Sequence, residues 1–291
     1  MAEEDSTLPR RQLGRLLRQY REEIGLTMAQ AARLVEVGTT TLHRLERGTA
    51  DKVRVRIVQH LCEIYERSSA ETATLKNLAE QAAVKNWYHE YAGLLPYNFN
   101  HYVELESAAR QLFSYQELIP GLLQTDAYAR TMMSGFPAEA EAEFQRRVDL
   151  RMKRQVIIKR KAEPVMFSVV LHESALYRVV GSPKIMSAQL RHVADASTWP
   201  NVEVRILPFS AGMPMGVLPG PFVILDFGLD RKNRPIEPTV VYIEAVTANI
   251  FLQKHHDVER YRAISAAVRD ASLNPVDSRT LLRKTAREFH Q

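Results

Sequence analysis

Between residues 10 and 24 the apolar positions fall at Leu13, Leu16, Leu17, Tyr20 and Ile24. That three-and-four spacing predicts a helix with one buried stripe. Gly25 follows, and glycine suits the left-handed residue that closes a helix. Thr27 can act as the N-cap of a second helix, 28–35, with Ala31, Leu34 and Val35 turned inward. Glu36-Val37-Gly38 reads as a turn in which Gly38 supplies a positive φ. A third helix, 39–47, buries Leu42 and Leu45 and stops at Gly48. A fourth, roughly 53–66, sets Ile57, Val58, Leu61, Cys62 and Tyr65 on one face. Four short helices with tight turns predict one small core over residues 8–67.

Farther along, Ser68-Ser69-Ala70-Glu71 opens a helix at about 71–90, followed by an aromatic, irregular stretch broken by Pro96. Residues 68–115 therefore read as a helical connector. Thr125 caps a helix through Ser134, and Pro137 opens a longer one, about 137–159. After Lys161 the period shortens. Val165–Leu171 is β-branched and aromatic, as in a buried strand, and Val202–Leu207 alternates apolar and polar. Phe222–Phe227 and Thr239–Glu244 are two further strands around a charged turn, DRKNRPIEP. Helices are expected near 172–178, 183–196, 256–270 and 275–289. The prediction is a mainly α N-terminal helix-turn-helix domain (8–67), the connector (68–115) and an α+β C-terminal domain (116–291) with a small sheet of four strands.

Composition narrows the classes. No apolar run approaches the ~18 residues of a membrane helix, and the opening MAEEDSTLPRR lacks the apolar core of a secretory signal. The one cysteine, Cys62, excludes an internal disulfide and a cysteine-rich zinc site. A reduced cytoplasmic location, at the nucleoid when bound to DNA, is the expectation. The formal charge is +5, and its distribution says more than its size. Residues 8–67 hold 12 Lys/Arg against 7 Asp/Glu, while the remainder holds 27 of each sign. The small helical segment thus carries the whole excess, which suits a polyanion such as nucleic acid, or simply a solvated basic face.

Residues 25–48, GLTMAQAARLVEVGTTTLHRLERG, sharpen the choice. Gly25-Leu26-Thr27, the Ala31-Ala32 pair between helices two and three, and the closing Leu45-Glu46-Arg47-Gly48 resemble the Cro/lambda-repressor-like (XRE) DNA-binding family over about residues 10–67. The family usually has Gln after the Thr; Met28 stands there instead and removes a polar group that could hold a phosphate. Arg21 and Glu46 look like the family's internal ion pair between helices one and three. Helical spacing gives Thr40, His43, Arg44 and Arg47 a common outer face, opposite Leu42 and Leu45.

A major groove admits one helix, whose first residues reach base edges. Thr39, Thr40 and Thr41 permit close approach and can contact bases or phosphates. Arg44 can hold guanine O6 and N7 with two hydrogen bonds, and His43 can donate to a base or phosphate. Thr27, Arg47, Lys52 and Arg54 complete the expected DNA-binding set, with Lys52 and Arg54 on the sugar-phosphate backbone.

Residues 71–291 resemble the long C-terminal region of actinobacterial XRE-type regulators. The pieces that carry this are Leu118–Thr125, Tyr128-Ala129-Arg130, Val202–Gly212, Gly220-Pro221-Phe222, Tyr242-Ile243-Glu244 and Val258–Arg262. Regulators of that type are described as antitoxin-like and are often encoded beside a small partner protein. The resemblance implies transcriptional control with a protein partner. The expected form is a homodimer on a double-stranded, inverted-repeat operator, with a small cognate protein at the C-terminal domain. A small-molecule effector in an α+β pocket is the alternative.

No catalytic residue, cofactor site or metal site is expected: Walker A, GxSxG and HExxH patterns are absent. His172-Glu173-Ser174 and His255-His256-Asp257 read as ordinary polar segments. The loop 208–221, with Met213 and Met215, suits an adaptable contact or a covered core loop. The basic run Arg146, Arg147, Arg151, Lys153, Arg154, Lys159, Arg160 and Lys161 reads as the wet face of a helix whose dry side is Phe144, Val148, Met152 and Val156, or as extra phosphate contacts.

Overall fold

The computed structural model describes residues 8–50, 52–83, 97–134, 141–161, 163–214, 216–217, 219–229, 235–245 and 248–289. The chain divides into two compact units, Met1–His89 and Glu90–Gln291. The first contains α1 (Leu8–Glu23), α2 (Met28–Leu34), α3 (Thr39–Glu46), α4 (Val55–Ile64) and α5 (Ser69–Ala83). Leu13 and Leu17 of α1, Ala31 and Ala32 of α2, and Leu42 and Leu45 of α3 meet Val58, Leu61 and Cys62 of α4 in one core. α5 adds Leu75, Ala79 and Ala82 to the same core, so this part of the expected connector is a fifth wall of the helical unit. Its first turn is closed by Ser68 and Glu71, each side chain accepting the other's backbone N–H, at 3.3 and 3.0 Å.

Two expectations around the turn are corrected. Gly38 has φ −67, and Glu36 takes the left-handed conformation at φ 55. The reversal belongs to the end of α2. There Val37 N–H bonds Ala32 O at 2.9 Å and Glu36 N–H bonds Arg33 O at 3.2 Å, the paired closure of a Schellman motif. Gly38 is instead the extended N-cap of α3, its carbonyl accepting from Leu42 N at 3.1 Å. Leu34 is half exposed, because the face of α2 that turns inward is set by Ala31, Ala32 and Val35.

The second unit is α+β, and its sheet has six strands rather than four. They are β1 (Gln111–Gln116), β2 (Met166–His172), β3 (Val202–Leu207), β4 (Phe222–Asp226), β5 (Val240–Glu244) and β6 (Asn249–Leu252), in spatial order β3-β2-β1-β4-β5-β6. β1 pairs in parallel with β2, and β2 with β3; the remaining neighbours are antiparallel. Parallel neighbours need long crossovers. α7 (Asp126–Met133), α8 (Glu141–Arg154) and α9 (Val156–Lys159) lie between β1 and β2, and α10 (Ser174–Tyr177) and α11 (Pro183–Ala196) between β2 and β3. β1, placed in the expected connector, is therefore the central strand, preceded by α6 (Tyr97–Ala108).

Tyr115, Val170, Leu207, Phe222, Ile224 and Val241 share one face of the sheet, covered by Val258, Ile264 and Val268 of α12 (His255–Asp270). α13 (Pro275–Glu288) packs on α11 and β3, where Ser278 Oγ accepts from Ile206 N at 2.9 Å. The single helix expected over 137–159 is two, broken at Gln155; Pro137 lies outside the described residues. Gln155 leaves the helical ladder to donate to Gln124 O at 2.6 Å and Gly121 O at 3.1 Å.

The basic run is also not one wet face. Arg154 is buried, with Nε and one terminal nitrogen each 2.8 Å from the Glu106 carboxylate, and its guanidinium lies 5.0 Å from the Phe99 ring centroid. Val156, expected on the dry side, is half exposed, and Leu150 is buried in its stead. Burial beside Arg154 lowers the Arg151 pKa to about 10. Among the described residues, no helix is long and apolar enough to cross a membrane.

Candidate nucleic-acid interface

The geometry of α3 begins with what holds its inner side. Leu42 and Leu45 are buried, and Glu46 joins them through an ion pair rather than through apolarity. Arg21 Nε donates to Glu46 Oε1 at 2.7 Å, and its terminal nitrogens donate to Glu46 Oε2 at 3.0 Å and to Leu26 O at 2.8 Å. The hydrogen bond to Glu46 raises the Arg21 pKa, so this guanidinium stays charged at every accessible pH. α1 can come this near because Gly14 has no side chain. A Cβ there would stand 2.5 Å from the carbonyl oxygens of Leu45 and Glu46. Gly48 closes α3 at φ 72, and a Cβ on it would meet the Arg11 backbone at 2.8 Å. A fixed inner side leaves the outer side of α3 little freedom.

That outer side holds the residues singled out in the sequence. Thr39, Thr40 and Thr41 form the first turn of α3 and are exposed. His43, Arg44 and Arg47 follow on exposed positions, so Thr40, His43, Arg44 and Arg47 form one row. Lys52 and Arg54 are exposed just before α4. Among the described residues, the side chains of Arg44, Arg47, Lys52 and Arg54 form no hydrogen bond or ion pair. The first turn of α3 has no acidic residue of its own to compete for its unbonded N–H groups.

Thr27 is exposed, but its hydroxyl already has work. It accepts from Gln30 N at 3.3 Å and donates to Gln30 Oε1 at 2.8 Å, while Thr27 N donates to the same oxygen at 2.9 Å. This capping box was legible as Thr27-x-x-Gln30, a spacing the sequence reading passed over. Met28 is partly buried against the core. Arg33 and Arg56 are further exposed cations that sequence reasoning did not single out; their only signal was their charge.

Among the described residues of the second unit, His172, Glu173 and Ser174 do not line up as a relay. His172 Nδ1 lies 2.8 Å from Ser174 Oγ, but Glu173 turns away to accept from Phe209 N at 2.7 Å. Exposed His256 pairs with its half-buried neighbour Asp257 at 3.2 Å. Among the described residues, no three His, Cys, Asp or Glu side chains gather as a metal site would require.

Comparison with known families adds two findings. A family described as helix-turn-helix domain matches residues 12–75, a span that takes in α2, α3 and part of α5. A family described as domain of unknown function (DUF5753) matches residues 99–284. No curated protein and no solved structure matches the chain.

Proposed function

Because the chain belongs to the DUF5753 family and carries a helix-turn-helix domain ahead of that region, we propose that it is a sequence-specific transcriptional regulator of the Cro/lambda-repressor-like (XRE), antitoxin-like type. One observation carries the reading. α3 buries Leu42, Leu45 and Glu46 while its opposite row, from Thr40 to Arg47, stands exposed with unpaired cations. In this reading α3 enters the major groove. Thr39, Thr40 and Thr41 lie against base edges and phosphates, Arg44 and His43 contact bases, and Arg47, Lys52 and Arg54 hold the backbone, while Thr27, its donors spent on Gln30, fixes the start of α2.

Two copies on an inverted repeat would place half-site centres about one helical turn, ~34–36 Å, apart. The resemblance of the second domain supports a small cognate protein as the source of the signal. A cavity in that domain favours a second reading, a small-molecule effector.

The test compares two substitutions against a library of operator variants. Arg44→Ala should remove discrimination at one base position, about 1–3 kcal/mol, and leave the others. Lys52→Ala should weaken all sequences alike and lower the salt dependence by about one phosphate contact. An unchanged sequence preference in Arg44→Ala overturns the assignment of α3.

A further inference from the structure

The cavity has a volume of about 250 Å³ and lies at the carboxyl ends of the three parallel strands, under α12. Tyr115, His172 and Leu207 reach it from the ends of β1, β2 and β3. At β1 the strand order reverses, with β4 antiparallel on its other side. Parallel α/β sheets take their ligands outside the carboxyl ends of their strands, which is where this cavity lies on the parallel half of the sheet. The floor is largely apolar: Tyr115, Leu207, Ile264 and Val268 are all buried.

The rim is polar. Glu117 and Arg178 line it, and among the described residues neither side chain makes a hydrogen bond or ion pair. His172 Nδ1 accepts from Ser174 N at 3.3 Å, which leaves Nε2 as the ring's donor. Met213 and Val217 border the opening and are more than half and half exposed, 58% and 50%. Exposed thioether and valine side chains beside an apolar floor gain burial when a ligand covers them.

We propose that this cavity binds a small amphipathic amino acid or close analogue. Its carboxylate would lie on the Arg178 guanidinium, its amine on Glu117, and its apolar body on the floor beneath. The volume is below the ~300 Å³ at which drug-sized sites begin, so the ligand is metabolite-sized. The planar guanidinium fork matches a carboxylate better than any single-point donor would. The inference deepens the effector reading above and rests on it for the meaning of the ligand, but not for binding itself.

Three probes with one apolar body test it on the full chain: L-phenylalanine, 3-phenylpropionate and phenethylamine, followed by calorimetry and by amide chemical shifts. L-Phenylalanine should bind tightest. Each probe lacking one charge should be about tenfold weaker or more, as expected for a lost charge-assisted bond. Shifts should concentrate at residues 172–178 and 207–219. In the parent the two-point Arg178 contact should place 3-phenylpropionate above phenethylamine, and Arg178→Glu, an exposed position, should reverse that pair. Glu117→Gln should weaken only the two probes that carry an amine. The proposal is overturned if no probe binds at millimolar concentration, or if Arg178→Glu leaves the order unchanged. Operator binding, measured on the same preparations without probe, reports on α3 alone, so either reading can fail while the other stands.

Discussion

Replacing Glu46 with alanine isolates what positions the recognition row. The Arg21 and Glu46 side chains are 10% and 2% exposed, so Glu46→Ala leaves a guanidinium inside the protein with Leu26 O as its hydrogen-bond acceptor and the half-exposed Glu22 carboxylate, 3.6 Å away, as its remaining counter-charge. Removing one partner of a buried pair costs about 3–5 kcal/mol, because the remaining charge is desolvated and uncompensated. At about 1.4 kcal/mol per decade, that is a rise of roughly two to three and a half decades in the opening of the helical unit. Amide exchange of Arg47 and Gly48 reads it locally, since their N–H groups bond His43 O and Leu45 O at the end of α3. Those amides should exchange faster by about that factor, if opening limits exchange. The double variant Arg21→Met/Glu46→Met should return close to the parent, because a buried pair often breaks even against apolar residues of similar volume. It should also keep the operator preference, since the outer row of α3 is untouched. Two results refute the reasoning: an increase of less than about tenfold in Glu46→Ala, or a double variant no slower to exchange than the single.

Other expectations follow from the same contacts. Gly14→Ala should destabilise the helical unit by about 1–3 kcal/mol, because its Cβ would overlap two backbone carbonyls that α3 cannot withdraw; chemical denaturation checks it, and a neutral result contradicts the close approach. Glu106→Ala should damage the second unit as Glu46→Ala damages the first, since Arg154 is buried between Glu106 and the Phe99 and Tyr102 rings; loss of near-ultraviolet ellipticity with α3 exchange unchanged is the expected pattern. Burial, reinforced by Lys159, lowers the His192 pKa below its ordinary 6.5. The unfolded chain then binds the extra proton first, so stability is present above pH 6.5 and is lost as pH falls toward the depressed folded value. Urea midpoints at about pH 7.5 and about pH 5.5 should differ more in the parent than in His192→Gln; an equal difference in both removes His192 as the cause.

Much of the helical unit was legible in residue order, because its signals are local. The stripe from Leu13 to Tyr20, the cap at Thr27, and the glycines at 25 and 48 each act within one or two turns of chain, and the structure has them in those roles. The opposition of Leu42 and Leu45 to Thr40 and Arg44 is equally local, since helical geometry alone separates them. What only the tertiary structure decided depends on neighbours remote in sequence. Gln111–Gln116 holds strand-favouring Phe113 and Tyr115 but breaks strict alternation with Ser114 and two glutamines; it is central because β2 and β4 flank it on both sides. Arg154 looks like one more surface cation until Glu106, 48 residues earlier, meets it inside. The left-handed turn at Glu36 rather than Gly38 is a local matter too, since the carbonyls it satisfies are those of Ala32 and Arg33. Periodicity and capping are written in adjacent residues, whereas burial of a charge and the pairing of a strand are properties of what the rest of the chain brings alongside.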